Sequence, residues 1–319
     1  MENSFSGQNV LVTGGTGLVG GHVSEKLLSL GANVFVLDIV LKPKSYFEAQ
    51  NLKEKTTLLM QDVRDLEKLT EVVLKNNISY IFHLAAQALV PLAFLDPLLT
   101  LDTNIMGTIN VLEVARRNPV IKGVVVASSD KAYGKVCKDA VETHALAGDH
   151  PYDVSKSAAD LICTAYFNTY GVPVTISRFA NIFGPGDLNF DRIIPGIMEA
   201  VILYKTLEIR SDGKFVRDYL YVKDVADGYV LLAEKISQTK GQAFNFSSGN
   251  NLNVLELVEK VSEVLGQKCN YEVLNLQKNE IPFQSLNFEK VKKVLGWQAK
   301  YTMEEGIKES FDWYKNYLK

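Results

Sequence analysis

Cysteine is scarce. Cys137, Cys163 and Cys269 are the only three in 319 residues, an odd number without metal-ligand spacing. That argues against a disulfide-framed secreted domain and against a thiolate metal site, and leaves buried or inert thiols in a reducing cytosol. Charge of either sign is not in excess, since 34 Lys and Arg stand against 37 Asp and Glu for a formal net charge of −3. Nothing in that balance draws the chain to nucleic acid or to an anionic membrane. Long apolar runs are missing too. The most apolar window, Tyr80 to Leu95, is interrupted by His83, Gln87 and Pro91, and is too short and too polar to span a bilayer. The stretch from Met1 to Gly7 has neither a basic start nor an apolar signal core. Repeats and low-complexity segments are absent. These absences predict a soluble cytoplasmic protein with no nucleic-acid, membrane or metal partner.

What is present is core. Hydrophobic residues make up 47% of the chain, enough for a large interior, and the length predicts about two domains. Gln8-Asn9-Val10-Leu11-Val12-Thr13 reads as a strand running into Gly14-Gly15-Thr16-Gly17-Leu18-Val19-Gly20 and then a helical segment to Leu30. Between a strand and a helix, Gly14, Gly17 and Gly20 permit a tight turn, close approach to a pyrophosphate, and tight helix–strand packing. The next strand, from Asn33, ends at Asp38, about 20 residues past the glycines, where an acid binds the adenosine ribose hydroxyls. A carboxylate there repels a 2′-phosphate and favours NAD over NADP, although Lys42 and Lys44 follow closely enough to accommodate one. Thr57 to Asp65 reads as a third strand, whose Asp62-Val63 end can meet the adenine. Ser79 to Gln87 reads as a fourth, in which the small residues Ala85 and Ala86 leave room for a cofactor against the backbone. His83, inside an apolar strand, reads as a satisfied core histidine. From Pro97 to Arg117, apolar residues recur at helical spacing. The alternation predicts an α/β fold built on a doubly wound parallel (Rossmann) sheet.

The stretch from Val124 to Lys156 carries the chemistry. A β-branched run, Val124-Val125-Val126, empties onto Ala127-Ser128-Ser129-Asp130-Lys131, where open α/β sheets place their reactive groups. Pro151-Tyr152-Asp153-Val154-Ser155-Lys156 then opens a helix, with Tyr152 and Lys156 on one face of it. A phenol serving near neutrality needs a shift of roughly three units, or about 4 kcal/mol. A lysine cation about 5 Å away supplies roughly 3 kcal/mol at an effective dielectric of about 20, and a nicotinamide cation can supply the remainder.

The glycine loop, His83-Leu84-Ala85-Ala86, Asn104-Ile105-Met106-Gly107-Thr108 and Tyr152-Asp153-Val154-Ser155-Lys156 together resemble the extended short-chain dehydrogenase/reductase family that modifies nucleotide sugars. The similarity runs over nearly the whole chain. It implies a bound NAD touching Gly14, Thr16, Gly17, Leu18, Val19, Gly20, Asp38, Asp62, Val63, Leu84, Ala85, Ala86, Tyr152 and Lys156. It implies a homodimer through the helices of 97–117 and 152–170, and Ser129, with Ser128 as the alternative, as the hydroxyl on the substrate oxygen or Tyr152. In the family's 4,6-dehydratases an acid followed by glutamate or lysine stands where Asp130-Lys131 stands here, a pair that simple 4-epimerases typically lack. By that resemblance Asp130 protonates the departing C6 hydroxyl and Lys131 takes the C5 proton. A direct ion pair between the two would hold both in the wrong charge state. Ser129-Asp130-Lys131 and the run from His83 through Gln87 to Val90 resemble CDP-glucose 4,6-dehydratases most. The chain departs from that group at Gly15, Pro91 and Arg217-Asp218-Tyr219, positions that bear on nucleotide and sugar rather than on the reaction. The expected activity is a nucleotide-sugar 4,6-dehydratase, with an NAD-dependent 4-epimerase as the alternative.

In the second half the alternation weakens, and a smaller α/β substrate-binding domain is expected. The expected division is 1–178 for the NAD-binding domain and 179–319 for the substrate domain, interleaved through segments near 215–248. Asn181 can hydrogen-bond a sugar diphosphate, and Arg210 and Arg217 present the fork that clamps phosphate. The resemblance adds Gln87 and Arg192 to the substrate side. Asp224 is expected to cap the helix that follows it.

Overall fold

The computed structural model of the chain describes residues 4–135, 138–276 and 281–319. Cys137 lies outside the described residues, while Cys163 and Cys269 are buried free thiols. Thirteen strands are described: β1 (Asn9–Thr13), β2 (Asn33–Asp38), β3 (Thr57–Met60), β4 (Tyr80–His83), β5 (Gly123–Ala127), β6 (Val174–Phe179), β7 (Asn181–Phe183), β8 (Leu207–Ile209), β9 (Val216–Tyr221), β10 (Ala243–Phe246), β11 (Asn251–Asn253), β12 (Tyr271–Val273) and β13 (Phe283–Gln284). Seven of them form one sheet in the order β10-β6-β5-β4-β1-β2-β3, parallel throughout.

The two-residue period of the strands divides their side chains between two cores. Val10, Val12, Val34, Val36, Phe82 and Val125 pack with Val23 and Leu27 of the Leu18–Ser29 helix and with Val225 and Leu232 of the Val222–Glu234 helix. Leu11, Leu37, Ile81, Val124 and Val126 point the other way. They meet Leu69 and Val73 of the Leu66–Lys75 helix, Val111 and Leu112 of the Gly107–Arg117 helix, and Cys163 of the Pro151–Tyr170 helix. With both faces covered, the inner residues of these strands are apolar on both sides, as the β-branched runs predict. The strand order reverses between β1 and β4, and their C-terminal ends flank a crevice of the kind in which such sheets bind ligands.

A third core joins the Ile193–Leu203, Val254–Leu265 and Met303–Leu318 helices through Ile197, Val201, Leu257, Val261, Ile307 and Tyr314, closing on Phe183 of β7 and on Tyr219 and Tyr221 of β9. β9 is the hinge of this part: β11 and β13 flank its first half and β7 its second. β10 returns to the large sheet beside β6.

Two local expectations are revised. The run from Pro97 to Arg117 is helical, but residues Asp102–Met106 form a π-turn within it, a local widening that recurs at functional sites. Asp224 does not cap its own helix. Buried in the first turn, its carboxylate accepts the backbone N–H groups of Lys300 (2.7 Å) and Tyr301 (3.3 Å) instead. A later loop with unpaired amides is the better partner, because Asp224 lies inside the helix, past the cap position.

Candidate active site

The glycine loop is built for close backbone approach. Gly14 sits at φ +69°, and a Cβ there would lie 2.8 Å from the Ala85 backbone; a Cβ on Gly20 would lie 2.2 Å from the Gly14 carbonyl oxygen. Gly17 is the N-cap of the Leu18–Ser29 helix, and no side chain covers the amides of the first turn, Leu18, Val19 and Gly20. A Cβ on Gly17 would meet only the Gly14 carbonyl, at 3.3 Å, so the helix N-terminus is open on that side to an anion. The Thr16 amide and hydroxyl both donate to Asp38 Oδ2 (3.0 and 2.6 Å), which brings the carboxylate at the end of β2 against the loop. Leu84 and Ala85 continue β4 beside Gly14, with Ala86 next in line. Asp62 is held by Arg64 (2.6 Å), which also reaches Asp102 (3.0 Å), and Val63 is buried. These residues fit a dinucleotide with its pyrophosphate on the helix N-terminus and its ribose at Asp38.

At the end of β5 the side chains expected to be reactive converge. Ser129 Oγ lies 2.8 Å from Asp130 Oδ1 and within hydrogen-bond reach of the Tyr152 phenol, and it accepts the Lys131 amide at 3.2 Å. Lys156 Nζ donates to the Ala127 carbonyl at 2.8 Å and stands 5.9 Å from the centre of the Tyr152 ring. Burial lowers the Lys156 amine to about 8. The expected net lowering of Tyr152 is not what the chain alone produces. Burial first, then the charge of Asp130, hold the phenol above its ordinary value, against the Ser129 hydrogen bond. The lysine cation is itself weakened by the burial that makes its field strong. Asp153, beside Tyr152, is pushed up to about 6, mainly by burial and against the pull of Lys131.

Asp130 is buried, and its Oδ2 is 3.9 Å from Lys131 Nζ, beyond a good hydrogen bond. The ammonium is instead bonded to the side-chain oxygen of Gln284, a fully buried residue of β13. Sequence reasoning missed Gln284, which lies 153 residues from Lys131. It also passed over Asn104 as a contact. From the π-turn, Asn104 accepts the Gln87 amide (2.7 Å) and donates to the Gln87 carbonyl (3.0 Å) and to Ser155 Oγ (2.8 Å), fixing the backbone after β4 to the Tyr152 helix. His83 is buried and bonded on both ring nitrogens, to Thr13 and Thr108, with burial lowering it to about 3. It is the core histidine the sequence predicts.

On the substrate side, Asn181 Nδ2 is buried with no hydrogen-bond partner among the described residues, so a ligand acceptor there would satisfy it. Arg192 donates to Asp187 (2.6 Å) and its charge acts on the Tyr152 phenol. Arg210 joins the same loop through Asp191 (2.8 Å). Arg217 donates to the Ile281 carbonyl at 2.7 Å. The Gln87 side chain is spent locally, donating to Thr100 and Leu89 and accepting the Leu89 amide. Among the described residues no group of His, Cys, Asp and Glu is placed to hold a metal ion, and no helix is long and apolar enough to cross a membrane.

A family model described as GDP-mannose 4,6 dehydratase matches residues 11–310. A CDP-glucose 4,6-dehydratase from Salmonella typhimurium is 29% identical over 343 residues, covering 100% of this chain and 93% of its own. A UDP-glucuronate 4-epimerase from Thermodesulfobacterium geofontis is 28% identical over 318 residues, covering 96% and 95%. Among solved structures, a dTDP-glucose 4,6-dehydratase from Bacillus anthracis str. Ames in complex with NAD superposes with a TM-score of 0.85 at 27% identity, covering 97% of each chain.

Proposed function

This chain belongs to the GDP-mannose 4,6 dehydratase family, and from that premise we propose that it is a nucleotide-sugar 4,6-dehydratase working with NAD. The observation that carries the reading is the Asp130–Lys131 pair beside Ser129 and Tyr152, with the amine bonded to Gln284 rather than closed onto the carboxylate. A reaction confined to C4 has no use for a second acid and base.

When bound, NAD supplies the hydride acceptor that oxidises C4 and later returns the hydride to C6. Tyr152 takes the O4 proton, with Ser129 hydrogen-bonded to the same oxygen and Lys156 stabilising the phenolate. The ketone so formed acidifies C5. Lys131 removes the C5 proton while Asp130 protonates the C6 hydroxyl, which leaves as water, and Lys131, whose N–H protons exchange with solvent, then returns a proton to C5. Over one turnover the O4 proton replaces the one that departs on water. Asn181, Arg192, Arg210 and Arg217 are read as diphosphate and sugar contacts. The division into an NAD-binding part and an interleaved substrate part follows the same reading.

A homodimer is part of it. Phe94, Leu95 and Leu98 are three-quarters exposed or more, and Leu161 is 59% exposed, on helices that pack against one another along one side of the sheet. A second copy covering them would bury an apolar patch that monomers rarely present.

The test is turnover of CDP-, UDP-, GDP- and dTDP-sugars in heavy water, read by mass spectrometry. Loss of water with deuterium at C5 is the expected result. Clean exchange of C4 epimers without water loss would sink the reading in favour of a 4-epimerase, the alternative that the 28%-identical epimerase relative supports.

A further inference from the structure

We propose that Gln284 is the positioning residue for Lys131, holding its amine where the C5 proton is taken. The role of Lys131 rests on the dehydratase reading above; the tether itself does not. A lysine amine ends a flexible four-carbon stem and, left alone, sweeps a wide volume. Lys131 is held: its Nζ donates to Gln284, and because an ammonium has no acceptor capacity the amide must present its oxygen. The nearest carboxylate oxygen, Asp130 Oδ2, stands off at 3.9 Å.

Gln284 is fixed from elsewhere in the fold. β13 lies parallel to β9, with Gln284 opposite Arg217. Just before it, the Pro282 carbonyl accepts the Val216 amide at 3.0 Å; just after it, the Ser285 carbonyl accepts the Ala140 amide at 3.1 Å. The amide is therefore delivered to a set point by two backbone segments that do not depend on Lys131. Its neutrality suits the task. An amide oxygen anchors one N–H of the amine without adding negative charge, so a lone pair is free to face substrate once the amine is neutral. A carboxylate in its place would keep the third proton on. An apolar side chain would leave the amine untethered.

The test has two arms on NAD-loaded protein. Competitive acylation of amines, read lysine by lysine by mass spectrometry, reports the tether without any turnover. Gln284→Leu should raise labelling of Lys131 relative to Lys55 by about three- to fivefold, the worth of one hydrogen bond near 1 kcal/mol, and Gln284→Asn should fall between. Unchanged labelling overturns the tether. In the second arm, with the nucleotide sugar that turns over, Gln284→Leu should slow C5 exchange and water loss by about 100-fold. KM and the rate of C4 oxidation should stay within about threefold. An equal fall in C4 oxidation or in NAD retention means a fold defect and overturns positioning. A wild-type protein that never loses water refutes the dehydratase reading instead, and the labelling arm still decides the tether.

Discussion

Replacing Lys156 by Met keeps a buried stem and removes the charge. With the ammonium 5.9 Å from the Tyr152 ring, an effective dielectric of about 20 gives an interaction near 3 kcal/mol. That corresponds to about two pH units on the phenol and roughly 100-fold in the step that uses the phenolate. The sign follows from the environment. Burial and Asp130 already hold the phenol up, so losing the cation raises it further and moves the rising limb of the rate–pH curve to higher pH. The Lys156 cation is lowered to about 8 by burial, so the advantage of the wild type should fade above that pH. The two curves should stand furthest apart on the acid side and converge on the alkaline side. Single-turnover rates of C4 oxidation from about pH 6 to about pH 10 measure this, with NAD retention followed separately. Parallel curves that never converge, or a variant that has merely lost NAD, would refute the electrostatic account and leave Lys156 as a binding residue.

Asp218 is buried, and burial pushes its carboxyl up to about 7 against the Ser247 hydrogen bond. The folded state therefore holds the proton more tightly than the unfolded one, and stability should fall as pH rises between about 4 and 7, by on the order of 4 kcal/mol at most. Asp218→Asn should abolish that fall, raising the urea midpoint at about pH 8 while leaving it nearly unchanged at about pH 4; an equal shift at both pH values would contradict this. Gly20→Ala places a Cβ 2.2 Å from a backbone oxygen that cannot give way, so the protein should lose its NAD, as read from cofactor absorbance after gel filtration. Phe94→Asp with Leu98→Asp should convert a dimer to a monomer in light scattering with the circular dichroism unchanged; a dimer that persists would move the interface elsewhere.

The sheet was legible because its signals are local and redundant. Val10 to Val12, Phe35 to Leu37 and Val124 to Val126 are apolar on both faces, and glycines stand where Gly14 and Gly20 meet backbone. Tyr152 and Lys156 were legible for the same reason, since one helical turn fixes their relation. The rest depended on distance in sequence. Asp224 carries the composition of a cap, yet its bonds go to Lys300 and Tyr301. The sign of the Tyr152 shift depends on how deeply the phenol is buried, which the four-residue spacing to Lys156 does not report.

Lys131 shows the limit most sharply. Its neighbour Asp130 is its obvious partner by sequence, and had the two closed into a hydrogen-bonded ion pair, neither would be free to move a proton. Only the pairing of β13 with β9 brings in a third group that holds the amine while leaving the carboxyl to Ser129. Adjacency in sequence thus nominates residues 130 and 131 as the proposed acid and base, but what keeps them from closing onto each other is a glutamine 153 residues away from Lys131.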